Sequence, residues 1–396
     1  MLADRIPEIQ SALAEAQLDG WLFLCFQQND PVSLDMLGLS GGNKLVTRRH
    51  YYLVPRTGEP RILVHELEQE MLAGLPGTKR TYLTWQSNRE GLQGLVAGMK
   101  KLAAQYSPNN QLPAVSRLDA GTAELLRSFG CELHSSADLV QRFAAVWTPA
   151  QLDSHRAAQI ELHRIVKEAF AFIGSHLRGG TPIGEYDVQK FIEESFDRAG
   201  LWTESPPNVS VNANSADPHY QPTADKSAPI SAGDFVLIDL WAKQKAANSV
   251  YGDITWCGVC APSPTDRQRQ IFDVVAAARD AAWELVRDQF GRRPLHGFEV
   301  DDAARKVIDG AGFGREFFHR TGHSIGIQDH GQGANMDNLE THDTRVLLPM
   351  TGFSIEPGIY LKGEFGVRLE INVALAPTGP EITGAEPQRE LVRILP

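Results

Sequence analysis

The chain is 396 residues long, 42% hydrophobic and 22% charged, with a net charge of −11; that is enough apolar material for two domains with substantial cores. The acidic balance argues against nucleic acid or an anionic membrane as partner, since both bind basic faces. No apolar run approaches the roughly 18 residues of a membrane span, and the first residues, MLADRIPEIQSALAEAQLDG, scatter acids among apolar residues at helical spacing, unlike a secretory leader, so a cytoplasmic protein is expected.

In chain order, the periodicities predict a helix near 4–18, a strand at WLFLCF, a hairpin from KLVTRRHYYLVP through RTGE to PRILVH, and helices near 89–105 and 121–129 among further short strands. Residues 1–148 thus read as an α/β domain. The boundary falls at Trp147, Thr148 and Pro149, where proline suits the first turn of a long helix through AQLDSHRAAQIELHRIVKEAFAFIGSHL. Within 149–396, a second helix near 183–199 precedes a hairpin, DFVLIDLWA with VYGDITWCGV. Helices at TDRQRQIFDVVAAARDAAWELVRDQF and near 299–311 precede another, GFSIEPGIYL with FGVRLEINVAL. Helix, helix, hairpin occurs twice, which predicts an α+β domain of two pseudo-symmetric halves with a centre between them.

Each hairpin carries two acids in otherwise apolar runs, Asp239 and Asp253 in the first, Glu356 and Glu370 in the second, fourteen residues apart in both cases. An ionised carboxylate there costs several kcal/mol unless it is paired, hydrogen-bonded or bound to metal. With His323, the four acids form a set of oxygen and nitrogen ligands that reads as a two-metal hydrolytic centre. Strict alternation in VRLEINV puts Arg368, Glu370 and Asn372 on one face, and the same count groups Tyr251, Asp253 and Thr255. The segment FHRTGHSIGIQDHGQG gathers His319, His323 and His330 among glycines that permit tight turns and close approach. His219, in ADPHYQP, reads by composition as a loop histidine. Cys257 and Cys260 form a CxxC spacing within a strand, where positions three apart face opposite sides; with Cys25 and Cys131 they are expected to be buried free thiols.

The order Asp, Asp, His, Glu, Glu, with His-x-x-Gly-His-x-Ile-Gly-Ile-x-x-His, resembles the Xaa-Pro peptidases of the creatinase/prolidase/methionine aminopeptidase superfamily, peptidase family M24, over roughly residues 150–376. The resemblance implies a pita-bread catalytic domain at 149–396 and a smaller creatinase-like α/β domain at 1–148. It implies metal ligation by Asp239, Asp253, His323, Glu356 and Glu370, with Asp253 and Glu370 bridging. It makes His219, His319 and His330 substrate-handling histidines, and it implies a homodimer. Three features depart from the family pattern: a longer loop between the aspartates, Trp241 where glycine is common, and Asp329 and Gly331 flanking His330 in place of an aliphatic residue and an acid.

Oxygen-rich coordination with one imidazole suits Mn²⁺, and also Co²⁺, Fe²⁺ or Zn²⁺. Two such ions about 3.5 Å apart would lower the pKa of a shared water. The expected roles are Glu356 as proton shuttle, His219 and His330 as donors to the scissile carbonyl, and His319 and Arg368 as substrate-binding residues. Hydrolysis of Xaa-Pro dipeptides, a prolidase activity, is the expected function. It requires a cation for the free carboxylate, from Arg368, Arg48, Arg49 or a partner subunit. The alternatives are an Xaa-Pro aminopeptidase acting on longer peptides, a metal-free creatinase-like hydrolase and a non-catalytic binding protein.

Overall fold

The computed structural model describes residues 2–39 and 46–395, and the chain divides into two compact units, Met1–Ala144 and Ala145–Pro396. The first unit contains α1 (Leu2–Glu15), β1 (Gly20–Cys25), α2 (Pro31–Met36), β2 (His50–Pro55), β3 (Arg61–His65), β4 (Thr78–Tyr82), α3 (Trp85–Leu95), β5 (Lys101–Ala104), α4 (Ala120–Ser128), β6 (Glu132–Ser135) and α5 (Ala137–Val140). Its six strands form one sheet in the order β4-β3-β2-β1-β5-β6. The unbroken apolar run of β1 follows from burial on both faces. Trp21 and Phe23 enter one core while Leu22 and Leu24 enter another.

Two expectations need correction in this unit. The helix expected over 89–105 ends at Leu95, because Gly98 takes a left-handed φ of +84° and turns the chain so that Lys101–Ala104 joins the sheet parallel to β1 and β6. The strand expected from KLVTRRHYYLVP begins only at His50; its first two residues, Lys44 and Leu45, lie outside the described residues.

The second unit contains α6 (Pro149–Gly179), α7 (Glu185–Arg198), β7 (Leu201–Trp202), β8 (Asn208–Val211), β9 (Phe235–Gln244) and β10 (Gly252–Val259), then α8 (Asp266–Gln289), α9 (Gly297–Gly310), β11 (Ser324–Ile325), β12 (Gly352–Ile355), β13 (Gly358–Leu361), β14 (Phe365–Arg368), β15 (Ile371–Ala376), β16 (Gly379–Ile382) and β17 (Val392–Arg393). The expected repeat of helix, helix, hairpin is therefore present. Helix α6 starts on a reciprocal cap between Thr148 and Gln151 with Pro149 in its first turn, and it ends on Gly180 at a left-handed φ of 66°. Its apolar stripe, Leu162, Ile165, Val166, Ala169, Phe170 and Ile173, buries Val236, Ile238 and Leu240 of β9. Each such side chain contributes roughly 1.5–3 kcal/mol when fully buried, so Ile238→Asp would break this half.

The alternate residues of the same strands, Phe235, Leu237, Cys257 and Val259, enter a second core with α8, α9 and the later strands. Cys260 joins the α6 core instead, so the CxxC thiols face opposite sides; all four cysteines are free and buried. Among the described residues, no helix is long and apolar enough to cross a membrane.

Candidate metal centre

The alternation that sends Phe235, Leu237, Cys257 and Val259 away from α6 also sets the direction of Asp239, Asp253 and Thr255, two or four residues along the same strands. Asp239 and Thr255 are register partners in the β9–β10 ladder. The Thr255 hydroxyl lies 3.1 Å from Asp239 Oδ1 and 2.8 Å from Glu370 Oε2. It has one proton and so donates to one carboxylate at a time, while its oxygen accepts from Arg368 Nε at 3.0 Å. Arg368 also donates from Nη2 to Asp239 Oδ2, and its Nε lies 3.7 Å from Glu356 Oε2.

The glutamates are delivered differently. The continuous strand expected through VRLEINV is two strands, β14 ending at Arg368 and β15 starting at Ile371; opposite it, β12 ends at Ile355 and β13 starts at Gly358. Pro357 has no N–H to give the ladder, and β12 pairs with β15 while β13 pairs with β14. Both glutamates sit in the gap. Their released amides go elsewhere, Glu356 N–H donating to the Thr321 carbonyl at 2.7 Å and Glu370 N–H to the Thr255 carbonyl at 3.3 Å. The predicted shared face survives the break: Arg368 and Glu370 both reach Thr255, and Asn372 Oδ1 accepts from the Asp253 N–H at 2.9 Å.

His323 follows Gly322, where a Cβ would fall 2.0 Å from the Ser354 carbonyl oxygen; only glycine lets this segment lie so close to β12. The His323 Nδ1 lies 3.1 Å from the Ser324 carbonyl. A carbonyl only accepts, so Nδ1 carries the proton and Nε2 presents a bare lone pair. Nε2 lies 3.5 Å from Asp253 Oδ2 and 3.4 Å from Glu356 Oε1. The Ser354 hydroxyl accepts from His323 N–H and donates to Glu356 Oε1, both at 2.9 Å.

The electrostatics of this cluster favour a cation. Burial, reinforced by the neighbouring carboxylates, pushes Asp253 and Glu370 well above the ordinary carboxyl range. Burial also raises Asp239, against the pull of Arg368. Glu356 is the exception: burial raises it, but His323, Arg368 and His319 together outweigh that and hold it below its usual value. Asp253 Oδ1 and Glu370 Oε1 are buried without a hydrogen-bond partner, and one ligand atom each from Asp253, His323 and Glu370 lie within 4.8 Å of one another. Two orphaned carboxylate oxygens and a bare imidazole nitrogen fit a divalent cation. His323, Asp329 and His330 satisfy the same distance test, and Asp329 Oδ1 is also buried and unpartnered.

A cavity of about 1020 Å³ opens over Asp239, Asp253, His323, Glu356 and Arg368, and His219, His319 and His330 line it too. His219 is exposed on its loop, its N–H bound to Asp217 Oδ1 at 3.1 Å. The exposed His330 ring lies 4.2 Å from that of His323, the neighbour that chiefly pushes it down to about 3. His319 has both ring nitrogens engaged, Nδ1 donating to the Arg320 carbonyl and Nε2 accepting from the Tyr360 hydroxyl, each at 2.7 Å. Burial pushes His319 down to about 4, consistent with an imidazole that accepts. Arg368 is buried on the acids. Arg48 and Arg49 lie in the first unit, where Arg48 bonds Thr47 and Arg49 stacks on Phe26.

The sequence did not single out Ser354, Tyr360 or Arg320, and Asp329 entered only as a departure. Ser354 was within reach, since it alternates with Glu356 in FSIE. Tyr360 lies beyond the break at Pro357, where alternation counts no longer hold.

The sequence model of metallopeptidase family M24 matches residues 155–377. The Xaa-Pro dipeptidase of Lactobacillus helveticus is 30% identical over 240 residues, which cover 59% of this chain; the chain spans 58% of that protein's length. The probable dipeptidase PepE of Mycobacterium tuberculosis is 26% identical over 334 residues, covering 83% of this chain and 81% of that protein. Among solved structures, dipeptidase PepE from Mycobacterium ulcerans superposes with a TM-score of 0.72 at 22% identity, covering 99% of this chain and 98% of the other, a likeness of fold.

Proposed function

The chain belongs to metallopeptidase family M24 and has its pita-bread fold, and on that premise we propose that it hydrolyses Xaa-Pro dipeptides to release proline. Two divalent ions would be held by Asp239, Asp253, His323, Glu356 and Glu370. The observation that carries this reading is the convergence of four acids and a bare imidazole nitrogen, with buried oxygens of Asp253 and Glu370 left without a partner. We take residues 149–396 as the catalytic domain and 1–148 as the amino-terminal domain, Mn²⁺ as the working ion with Co²⁺ or Zn²⁺ as substitutes, and a cytoplasmic homodimer as the working form.

Divalent ions so bound supply Lewis acidity, polarising the scissile carbonyl and making water acidic enough to attack near neutral pH. The residues do the rest. Glu356, the one acid held below its usual range, accepts the proton of the attacking water and returns it to the proline nitrogen. His330 is neutral and donates one N–H to the carbonyl oxygen, with His219 as a second donor from its loop. Arg368 clamps Asp239 and Thr255, so its part is to fix the ligands. His319 orients Tyr360 and presents its ring to the cavity.

The test is hydrolysis of Ala-Pro, Leu-Pro and Ala-Pro-Ala by metal-stripped protein reloaded with Mn²⁺, Co²⁺ or Zn²⁺. Metal-dependent cleavage of the dipeptides alone supports the proposal. Cleavage of the tripeptide moves the protein to the Xaa-Pro aminopeptidases. If none is cleaved, the peptidase reading fails.

A further inference from the structure

We propose that Arg320 takes the terminal carboxylate of the substrate and thereby confines the site to peptides that end at proline. The inference rests on the dipeptidase reading above and adds the residue that sets chain length. Apart from its histidines, the cavity is lined by two cations, Arg320 and Arg368. Arg368 is buried and committed to Asp239, Thr255 and Glu356. Arg320 is half-buried, and although its backbone N–H donates to Glu340 Oε1 at 3.1 Å, its guanidinium makes no hydrogen bond or ion pair among the described residues. In a cavity lined also by Glu204, Asp217, Asp329 and Glu340, this open five-donor fork offers an incoming carboxylate attraction without displacing a metal-facing acid.

The residues beside it match what carries that carboxylate. Phe318 is 53% exposed and lines the same cavity. Its ring lies 5.2 Å from that of Tyr360, which lies 5.3 Å from that of His319. Phe318 and His319 thus line the cavity together with Arg320, and the buried Tyr360 packs against both rings. Proline offers the complement, an apolar ring with the carboxylate on its own α-carbon. A residue added after proline would replace that charge with a neutral amide and put chain where Arg320 stands.

The test compares Ala-Pro with Ala-Pro amide, which differ only in that charge, using the Mn²⁺-loaded full chain, its Arg320→Met and Arg320→Lys variants, and metal content as a control. Wild type should favour the free acid about 10- to 100-fold in kcat/KM, mostly through KM, the scale of a charge-assisted hydrogen bond. Arg320→Met should erase the preference by losing activity on the acid alone, and Arg320→Lys should keep part of it. A wild type with no preference overturns the assignment, and so does an Arg320→Met variant that keeps the preference or loses both substrates equally; either result leaves the dipeptidase reading standing. Wild-type failure on both substrates removes that reading and this assignment with it.

Discussion

The two hairpins that supply the acids have the same spacing and opposite backbones. Asp239 and Asp253 sit within an unbroken ladder that pairs β9 with β10 from Gly252 opposite Ala242 to Val259 opposite Phe235. Glu356 and Glu370 sit where both strands of their hairpin break, and their amides bond to Thr321 and Thr255 outside it. The aspartates are therefore carried by the ladder of their own hairpin, whereas the glutamates are anchored outside theirs, with Ser354 on the Glu356 carboxylate and Thr255 on that of Glu370. The consequence is chemical. Glu356, the acid proposed to move a proton, lies on the broken side, and of the four acids it alone is held below its usual pKa.

The comparison predicts where the halves behave alike and where they part. Asp253→Ala and Glu370→Ala should be equivalent, each abolishing stoichiometric metal and lowering kcat/KM by more than about 10³-fold, as read by metal analysis and peptide hydrolysis. Both proteins should still fold, since each loses a buried acid that its neighbours repel. Unequal metal loss would make one hairpin the true site. Next in size, His330→Ala should lower kcat about 10²-fold with metal content unchanged, the effect of losing one carbonyl donor; a change in KM alone would move His330 to substrate binding.

Smaller effects test the joints between the halves. Thr255→Val keeps the shape of the side chain but deletes the hydroxyl that Asp239, Glu370 and Arg368 share. It should cost about 1–3 kcal/mol in denaturant unfolding; a neutral result would show that the carboxylates are placed by backbone on both sides. His155 joins the approach to β10 to the residue that follows β16, with Nδ1 2.6 Å from the Tyr251 carbonyl and Nε2 2.8 Å from the Thr383 hydroxyl. Burial pushes it from 6.5 down to about 4, so the unfolded chain binds a proton that the folded chain refuses. This contribution is complete above pH 6.5 and drains as pH falls toward 4, by up to about 3 kcal/mol. Unfolding at pH 7 and pH 4.5 should reveal the slope, and His155→Gln should flatten it.

The convergence of Asp239, Asp253, Glu356 and Glu370 with His323 was legible in the sequence because carboxylates in apolar strands are costly, and four of them in two hairpins, with a histidine between, leave few explanations. The helix and hairpin repeat was legible for a similar reason, since α6 and α8 announce themselves by caps and apolar stripes. What could not be read depends on tertiary pairing. The alternation in VRLEINV continues through Leu369 and Glu370 although the ladder does not, because the break is imposed from across the hairpin at Pro357. The helix expected to reach residue 105 was undone by a left-handed Gly98 and by β1, a strand some eighty residues earlier in the chain. Alternation placed Arg368 beside Glu370, but nothing in the sequence marked Arg320, which only the folded cavity brings to the site.

Mn²⁺ titration of metal-stripped protein by calorimetry, with Glu370→Ala beside it, asks whether acids from both hairpins hold metal together. Binding of about two ions per chain by the wild type, lost in the variant, is the predicted result. Wild-type protein that binds no Mn²⁺, or a variant that binds it as well as wild type, would show that the two hairpins do not share a metal centre.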